Sequence, residues 1–390
     1  MREEWTYKKI GEVASFINGD RGKNYPSQKD FVESGIPFIN AGHLNDGNID
    51  FDSMNYINDE KYDSLNSGKV KEGDILFCLR GSLGKKAIVK NVERGAIASS
   101  LVIIRSTSIF NQYLNYYLGS PTITRYIKRN NNGSSQPNLS AKSVSSFILP
   151  IPPLAEQKRI VEELDLLSSI IDKKKAQLKE LDQLAQSIFY TMFGDPITNP
   201  KGWQVQALST VCDVRDGTHD SPKYVDNGYP LITSKNVVNG TISFDNVNLI
   251  SERDLIAINA RSKVDDGDII MPMIGTIGKP TIVIKTREFA IKNVALIKFS
   301  EAKRVLNIYI QKLLDSESYS RFIKEQNRGG TQKFISLGMI RKLPTPLPPL
   351  SLQQEFAEKV EAIEKQKALI QQSIAETQTL FDSRMDHWFS

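Results

Sequence analysis

Leu149-Pro150-Ile151-Pro152-Pro153-Leu154-Ala155-Glu156-Gln157 returns 196 positions later as Thr345-Pro346-Leu347-Pro348-Pro349-Leu350-Ser351-Leu352-Gln353. Two prolines end whatever precedes them, and each copy is followed by about 40 residues free of Gly and Pro. The prolines cannot continue a helix from upstream, so each copy marks a helix start. In the first copy Ile160, Leu164, Leu167, Ile171, Leu178, Leu181, Ala185, Ile188 and Met192 fall at alternating spacings of four and three, with Lys174 in the one gap. This is a heptad seam. The second copy keeps the register through Phe356, Val360, Ile363, Ile370, Ile374, Phe381 and Trp388, interrupted by Lys367, Thr377 and Arg384. Ser351 with Gln354 fits a capping box, and Glu156 suits the positive end of its helix.

The repeat extends outward from these helices. Lys71-Glu72-Gly73-Asp74-Ile75 returns as Asp265-Asp266-Gly267-Asp268-Ile269, and Gly81-Ser82-Leu83-Gly84-Lys85 as Gly275-Thr276-Ile277-Gly278-Lys279, each 194 positions on. A unit this long is a domain plus an element rather than a solenoid repeat. Apolar runs of strand length occur at Ile36–Ile39, Ile75–Leu79 and Leu101–Ile104, and again at Pro230–Thr233, Ile269–Met271 and Val294–Ile297. Their β-branched content and turn-residue flanks predict strands. Gln112–Lys128 and Ile308–Lys324 carry helical spacing.

The expected organisation is therefore α+β. Two mixed domains, residues 1–153 and 194–349, alternate with helices over 154–193 and 350–390. A single-stripe helix needs a partner. Antiparallel pairing of the two helices would place one domain at each end of a rod, with pseudo-two-fold symmetry. Roughly 38 residues at about 1.5 Å each give a rod of about 57 Å. Lys174 and Lys367 could set the register or simply snorkel from a wet seam.

Composition narrows the function classes. The chain has 390 residues, 40% hydrophobic, 8% aromatic and a formal charge of +5, ordinary for a folded protein and compatible with nucleic acid. No apolar run approaches a membrane span, and Met1-Arg2-Glu3-Glu4-Trp5 has no apolar signal region. A cytoplasmic protein with no membrane partner is expected. Cys78 and Cys212 occupy unrelated places in the repeat, and His43, His219 and His387 are scattered. Neither a disulfide nor a metal site is expected. There is no phosphate-binding Gly-x-x-x-x-Gly-Lys-Ser/Thr loop, no Gly-x-Gly-x-x-Gly helix start, no Asn-Pro-Pro-aromatic motif and no Gly-x-Ser-x-Gly elbow. No catalytic residue, cofactor or metal is assigned to this chain.

Three groups of residues could bind nucleic acid. Arg80, Gly81, Gly84 and Lys85, with Gly275, Gly278 and Lys279, form Gly-x-x-Gly-Lys loops after a strand. There the backbone can approach a phosphate and Lys adds charge; a plain β-turn is the alternative. Arg129 with Ser134, Ser135 and Gln136, matched by Arg328, Thr331 and Gln332, places hydroxyls and amides after a basic helix end. A solvated helix C-terminus is the alternative there. Arg21, Lys23 and Tyr25 stand where the second half has His219, Lys223 and Tyr224. Divergent polar loops on a shared scaffold are what two different recognition sites would look like; ordinary loop drift is the alternative.

With these motifs the chain resembles the specificity subunit of type I restriction–modification systems over essentially all its length. The doubled Leu-Pro-x-Pro-Pro-Leu-x-x-Gln, the Gly-Asp-Ile with Gly-x-x-Gly-Lys, and Met192-Phe193-Gly194-Asp195-Pro196 before Asn199-Pro200-Lys201-Gly202-Trp203 carry the resemblance. Leu352 departs from it, where the first copy has Glu156. The resemblance implies two target-recognition domains on double-stranded DNA, each reading half of a split site, with the helices as a ruler. It also implies docking of two methyltransferase subunits and joining of restriction–translocase subunits. S-adenosylmethionine, ATP and Mg²⁺ would be held by those partners. B-DNA rises about 3.4 Å per base pair, so the rod spans at most about 17 base pairs. A partner that both cuts and methylates, or a DNA-bridging scaffold without sequence preference, remain the alternatives.

Overall fold

The computed structural model describes residues 5–45, 47–130, 137–238, 240–273, 279–326 and 335–390. The chain divides into two units, Met1–Lys174 with Gln372–Ser390, and Lys175–Gln371. Each is mixed α and β.

In the first unit the run Ile75–Cys78 becomes the inner strand of an antiparallel sheet, between Leu101–Ser106 and Lys86–Ile88, with Ala14–Asn18 beyond. Its four residues are all buried, which explains a continuous rather than alternating apolar run. A second sheet orders Ala96–Ile97, Ile36–Ile39, Asn55–Ile57 and Phe31–Val32, with its first pair parallel. The strand Ile148–Ile151 pairs only with Thr6–Lys9. A two-stranded ladder is edge on both sides, so Pro150 fits it without losing a needed N–H.

The second unit repeats the plan. Ile269–Pro272 lies between Val294–Lys298 and Thr281–Ile282, with Asp213–Asp216 outermost. Tyr229–Ile232 pairs with Asn248–Ile250 and runs parallel to Ala290–Ile291. Val205–Ala207 pairs with Pro344–Pro346.

Each expected helical stretch before the proline motif is split in two. Asn111–Leu118 and Pro121–Asn130 break at Gly119-Ser120, ahead of a proline that cannot extend the first helix. Asn307–Leu314 and Glu317–Gln326 break without Gly or Pro. There the Ser316 hydroxyl donates to the Leu313 carbonyl, and Ser316 Oγ lies 3.4 Å from the Tyr319 N–H.

The two long helices run Leu154–Phe193 and Leu350–Phe389. Within the first unit Glu163 meets Arg384, and Lys174 donates to the Ser373 and Thr377 hydroxyls. Within the second, Asp182 meets Lys367 at 2.7 Å, and Phe189 and Phe193 pack on Phe356. One helix rises as the other falls, so the pairing is antiparallel in both units. The polar residues on the seam are thus hydrogen-bonded rather than snorkelling. Lys174 and Thr377, two of the interruptions, meet each other.

The capping box expected at Ser351 does not form. The second helix already includes Leu350, and the Pro349 carbonyl accepts the N–H groups of Leu352 and Gln353. Ser351 therefore lies inside the first turn. The Pro153 carbonyl does the same for Glu156 and Gln157.

Candidate nucleic-acid interface

The proline motif is the anchor of each domain. Buried Gln157 accepts the Phe110 N–H at 3.0 Å and donates to the Pro152 carbonyl at 2.8 Å. Buried Gln353 accepts the Leu306 N–H at 2.9 Å and donates to the carbonyls of Pro348 and Arg304, both at 2.9 Å. The Tyr113 hydroxyl donates to the Pro150 carbonyl, and Tyr309 to Pro346, each at 2.9 Å. These bonds fix where each long helix leaves its domain. The sequence singled out Gln only as a repeated letter.

The Gly-Asp-Ile turns are ion-pair clamps that the sequence reading missed. Asp74, 2% exposed, caps its own turn through the Lys71 N–H and takes a two-pronged bond from Arg105, each arm 2.7 Å. Asp268 caps through the Asp265 N–H and receives the Lys298 ammonium at 2.8 Å. Burial pulls the Lys298 ammonium down, but its bonds to Asp265 and Asp268 outweigh that and hold it above its ordinary value.

The first Gly-x-x-Gly-Lys motif is the hairpin turn between Ile75–Cys78 and Lys86–Ile88. Cys78 N–H donates to Lys85 O, and Gly84 N–H to Cys78 O. Gly84 has φ +80°, a conformation that favours glycine, and a Cβ there would stand 2.7 Å from Ile127 Cδ1 and push that side-chain end aside. Arg80 bridges Asn138, and Gly81 N–H donates to Pro137 O, which ties the turn to the Pro137-Asn138 segment. Arg80 and Arg129 are exposed and Lys85 is partly so. Ser134, Ser135, Gln136, Gly275, Gly278, Arg328, Thr331 and Gln332 lie outside the described residues. Lys279 is described and exposed.

The loops that differ between the halves are mounted alike. A Cβ on Gly19 would stand 2.6 Å from Ala98 O, and one on Gly217 2.4 Å from Ile291 O, so both loops are pressed onto the sheet. Beyond the glycine they part. Arg21 and Lys23 are exposed, while Tyr25 packs its ring edge-on to Phe38 at 5.6 Å. His219 places Nε2 2.7 Å from Asp216 and Nδ1 2.9 Å from Asn293 Oδ1. These contacts, Asn293 first and then Asp216, hold the imidazole above its ordinary pKa. Arg261 meets the other Asp216 oxygen at 2.6 Å. Lys223 and Tyr224 are exposed. His43, by contrast, is buried between the Asn40 N–H and the Ser53 carbonyl, a structural residue.

Among the described residues no group of His, Cys, Asp or Glu is placed to hold a metal ion, and no helix is long and apolar enough to cross a membrane.

Comparison with known proteins gives one consistent answer. Relatives include the MjaVIII specificity subunit of Methanocaldococcus jannaschii, 23% identical over 93% of this chain and 86% of that protein. The EcoKI specificity subunit of Escherichia coli K12 is 23% identical over 93% and 82%. Among solved structures, a chain described under "complex assembly and conformational transition of the type I R-M system" superposes with a TM-score of 0.58 at 18% identity, covering 100% of this chain and 98% of that one. The type I S subunit of M. genitalium gives 0.51 at 12% identity, over 99% and 96%. Residues 2–183 and 200–378 each match the type I restriction modification DNA specificity domain. With that domain present twice, the chain belongs to the type I restriction–modification specificity family and is a specificity subunit with two target-recognition domains.

Proposed function

We propose that each domain reads one half of a bipartite DNA site, and that the paired helices set the unread spacer between the halves. The observation that carries this is the pair of loops at 18–26 and 215–224. They are wedged onto equivalent strand ends by Gly19 and Gly217, yet present different chemistry: free Arg21 and Lys23 in one, a His219–Asp216–Arg261 network in the other. Arg and Lys suit guanine edges, and Asn or Gln suit adenine. The chain itself is non-catalytic in this reading and works in the cytoplasm. Two methyltransferase subunits dock on the helices, and restriction–translocase subunits join them. S-adenosylmethionine, ATP and Mg²⁺ are held by those partners.

The helices offer apolar surface for such docking. Leu166 and Leu380 in the first unit, and Leu184 and Leu369 in the second, are exposed, and each directly precedes a seam residue. Exposed large apolar side chains that recur in register on a helix surface fit a protein interface better than solvent.

Methylome sequencing after co-expression with the partner methyltransferase tests the reading. Two short motifs separated by a fixed gap are expected. Exchange of residues 1–150 for those of a relative should replace one motif and leave the other. A single contiguous motif, or methylation without sequence preference, would overturn it.

A further inference from the structure

The first domain has a cleft of about 310 Å³ lined by three cations. Arg21 comes from the loop wedged by Gly19, Arg80 from the end of the Ile75–Cys78 strand, and Lys142 from the helix Ala141–Ser145. Asn18, Asn138 and Ser140 supply polar lining between them. The backbone fixes each cation separately. Leu79 N–H donates to Ser100 O and Leu139 N–H to Leu79 O, which hold Arg80 and its bridge to Asn138 in place. Ser140 Oγ caps the helix through the Ser143 N–H at 2.9 Å and so positions Lys142. The nearby carboxylate is otherwise engaged, since Asp20 accepts the backbone N–H groups of Arg21 and Asn66 at 2.7 Å each. Among the described residues none of the three cations forms an ion pair.

Three exposed cations lining one cleft, none of them in an ion pair among the described residues, make it a favourable place for an anion. The second domain does not repeat them. At the matching repeat positions it has His219 for Arg21, Ile274 for Arg80, Gly338 for Lys142 and Asp216 for Asn18. The scaffold therefore does not require these cations, and their presence in one copy calls for a ligand. Shape decides its class. Base edges are recessed in the groove and are read by side chains that project into it. Phosphates protrude and are received by concave cationic sites.

We propose that the Arg21–Arg80–Lys142 cleft is a clamp for one backbone phosphate of the DNA half-site read by the first domain, built from three cations that the second does not repeat at the matching positions. The clamp rests on the bipartite DNA reading above and adds an asymmetry to it. The first domain holds its half-site with a salt-sensitive anchor that carries no sequence information, and the second relies on other contacts.

The test uses the full chain assembled with its methyltransferase partner, on duplexes carrying the mapped site. Arg80→Ala and Lys142→Ala should each weaken binding about 10-fold. Each should also make the dependence of log K on log salt shallower by about one. The loss should be equal on a duplex with scrambled sequence, and the methylation motif should not change. Replacing phosphates one at a time by neutral methylphosphonates should find one position, in the first domain's half-site, where the wild type loses about 10-fold and the double variant loses nothing. Both side chains are exposed, so melting should be unaltered. Unchanged affinity and salt slope in the double variant would overturn the clamp. So would a changed base preference in that half-site, which would make these residues base readers. In either case a two-part motif in the wild-type methylome would leave the bipartite reading standing. A wild type lacking that motif would remove the reading itself, and the clamp with it.

Discussion

Asp74 in the first domain and Asp268 in the second sit in the same turn and meet cations of different kinds. Arg105 answers Asp74 with a planar fork, both carboxylate oxygens at 2.7 Å, and its side chain stays 27% exposed. Lys298 is 8% exposed and spends its three protons on Asp268, Asp265 and the Lys263 carbonyl. A guanidinium matches one carboxylate edge-on and tolerates water behind it, whereas a compact ammonium must be surrounded. The same contrast recurs at the proline motif. Gln157 satisfies two backbone groups and Gln353 three. Arg105 also reaches the Lys69 carbonyl at 3.5 Å, so the two cations make equally many bonds. The first domain's cation is the wetter one and its glutamine the less bonded. Two copies of one frame can thus hold equal geometry at unequal cost of disruption.

The buried glutamines give the largest test of that inequality. Gln353→Leu would leave the Leu306 N–H and the Pro348 and Arg304 carbonyls without this partner, at a cost of about 3–6 kcal/mol in the second domain. Gln157→Leu would strand the Phe110 N–H and the Pro152 carbonyl, at about 2–4 kcal/mol in the first. Calorimetric melting of the full chain should show the larger downward shift for Gln353→Leu. Equal shifts would mean that the additional Arg304 contact contributes nothing.

The ion pairs come next. Lys298→Met leaves Asp268 buried without its cation and should cost about 3–5 kcal/mol. Arg105→Met leaves Asp74 equally buried, but water can enter through the partly open Arg site, so about 2–3 kcal/mol is expected. The pair also has an acid signature. The Lys298 hydrogen bond holds the Asp265 carboxyl below its ordinary value. Its contribution is therefore fully present above the usual carboxylate range and is lost as pH falls through the lowered value. Acid titration of the wild type against Lys298→Met should show the wild-type advantage shrinking below about pH 4. An advantage that grew toward low pH would contradict the assignment.

Much of this frame is written in the sequence, because apolar runs and heptads are local signals. The strands at 36–39, 75–78 and 269–272 and both long helices fall where period and flanking residues place them. What was not legible depends on partners far along the chain. Asp74 and Arg105 lie 31 positions apart, and Gln157 and Phe110 47 apart, with nothing local to join them. The break at Ser316 was hidden because it rests on a side-chain hydroxyl rather than on Gly or Pro. Of the candidate binding residues, Arg21 and Arg80 share one cleft, Tyr25 packs on Phe38, and Lys142 was missed. A lone Lys on a five-residue helix carries no pattern that points to the cleft it lines.

The smallest test concerns the place where the repeated motif trades a charged residue for an apolar one, Glu156 against Leu352. Trp5 donates its indole N–H to Glu156 at 3.1 Å and stacks on Trp388 at 6.4 Å. Trp203, the counterpart, donates to the Phe193 carbonyl at 2.9 Å and is held by Asn199, which bonds both its N–H and its carbonyl. Trp203 follows directly from the helix end it caps, so the chain delivers a backbone acceptor. Trp5 is far in sequence from the helix turn beside it, and a side chain must supply the acceptor. That accounts for a carboxylate at 156 and none at 352. Glu156→Leu and Trp5→Phe should each cost about 1 kcal/mol in the first domain, and the double variant little more than either alone. Trp203→Phe should cost a similar amount in the second domain and be indifferent to residue 156. Strict additivity of Trp5→Phe with Glu156→Leu would show that the bond contributes nothing, and that Trp5 is placed by its other contacts, the stacking on Trp388 among them.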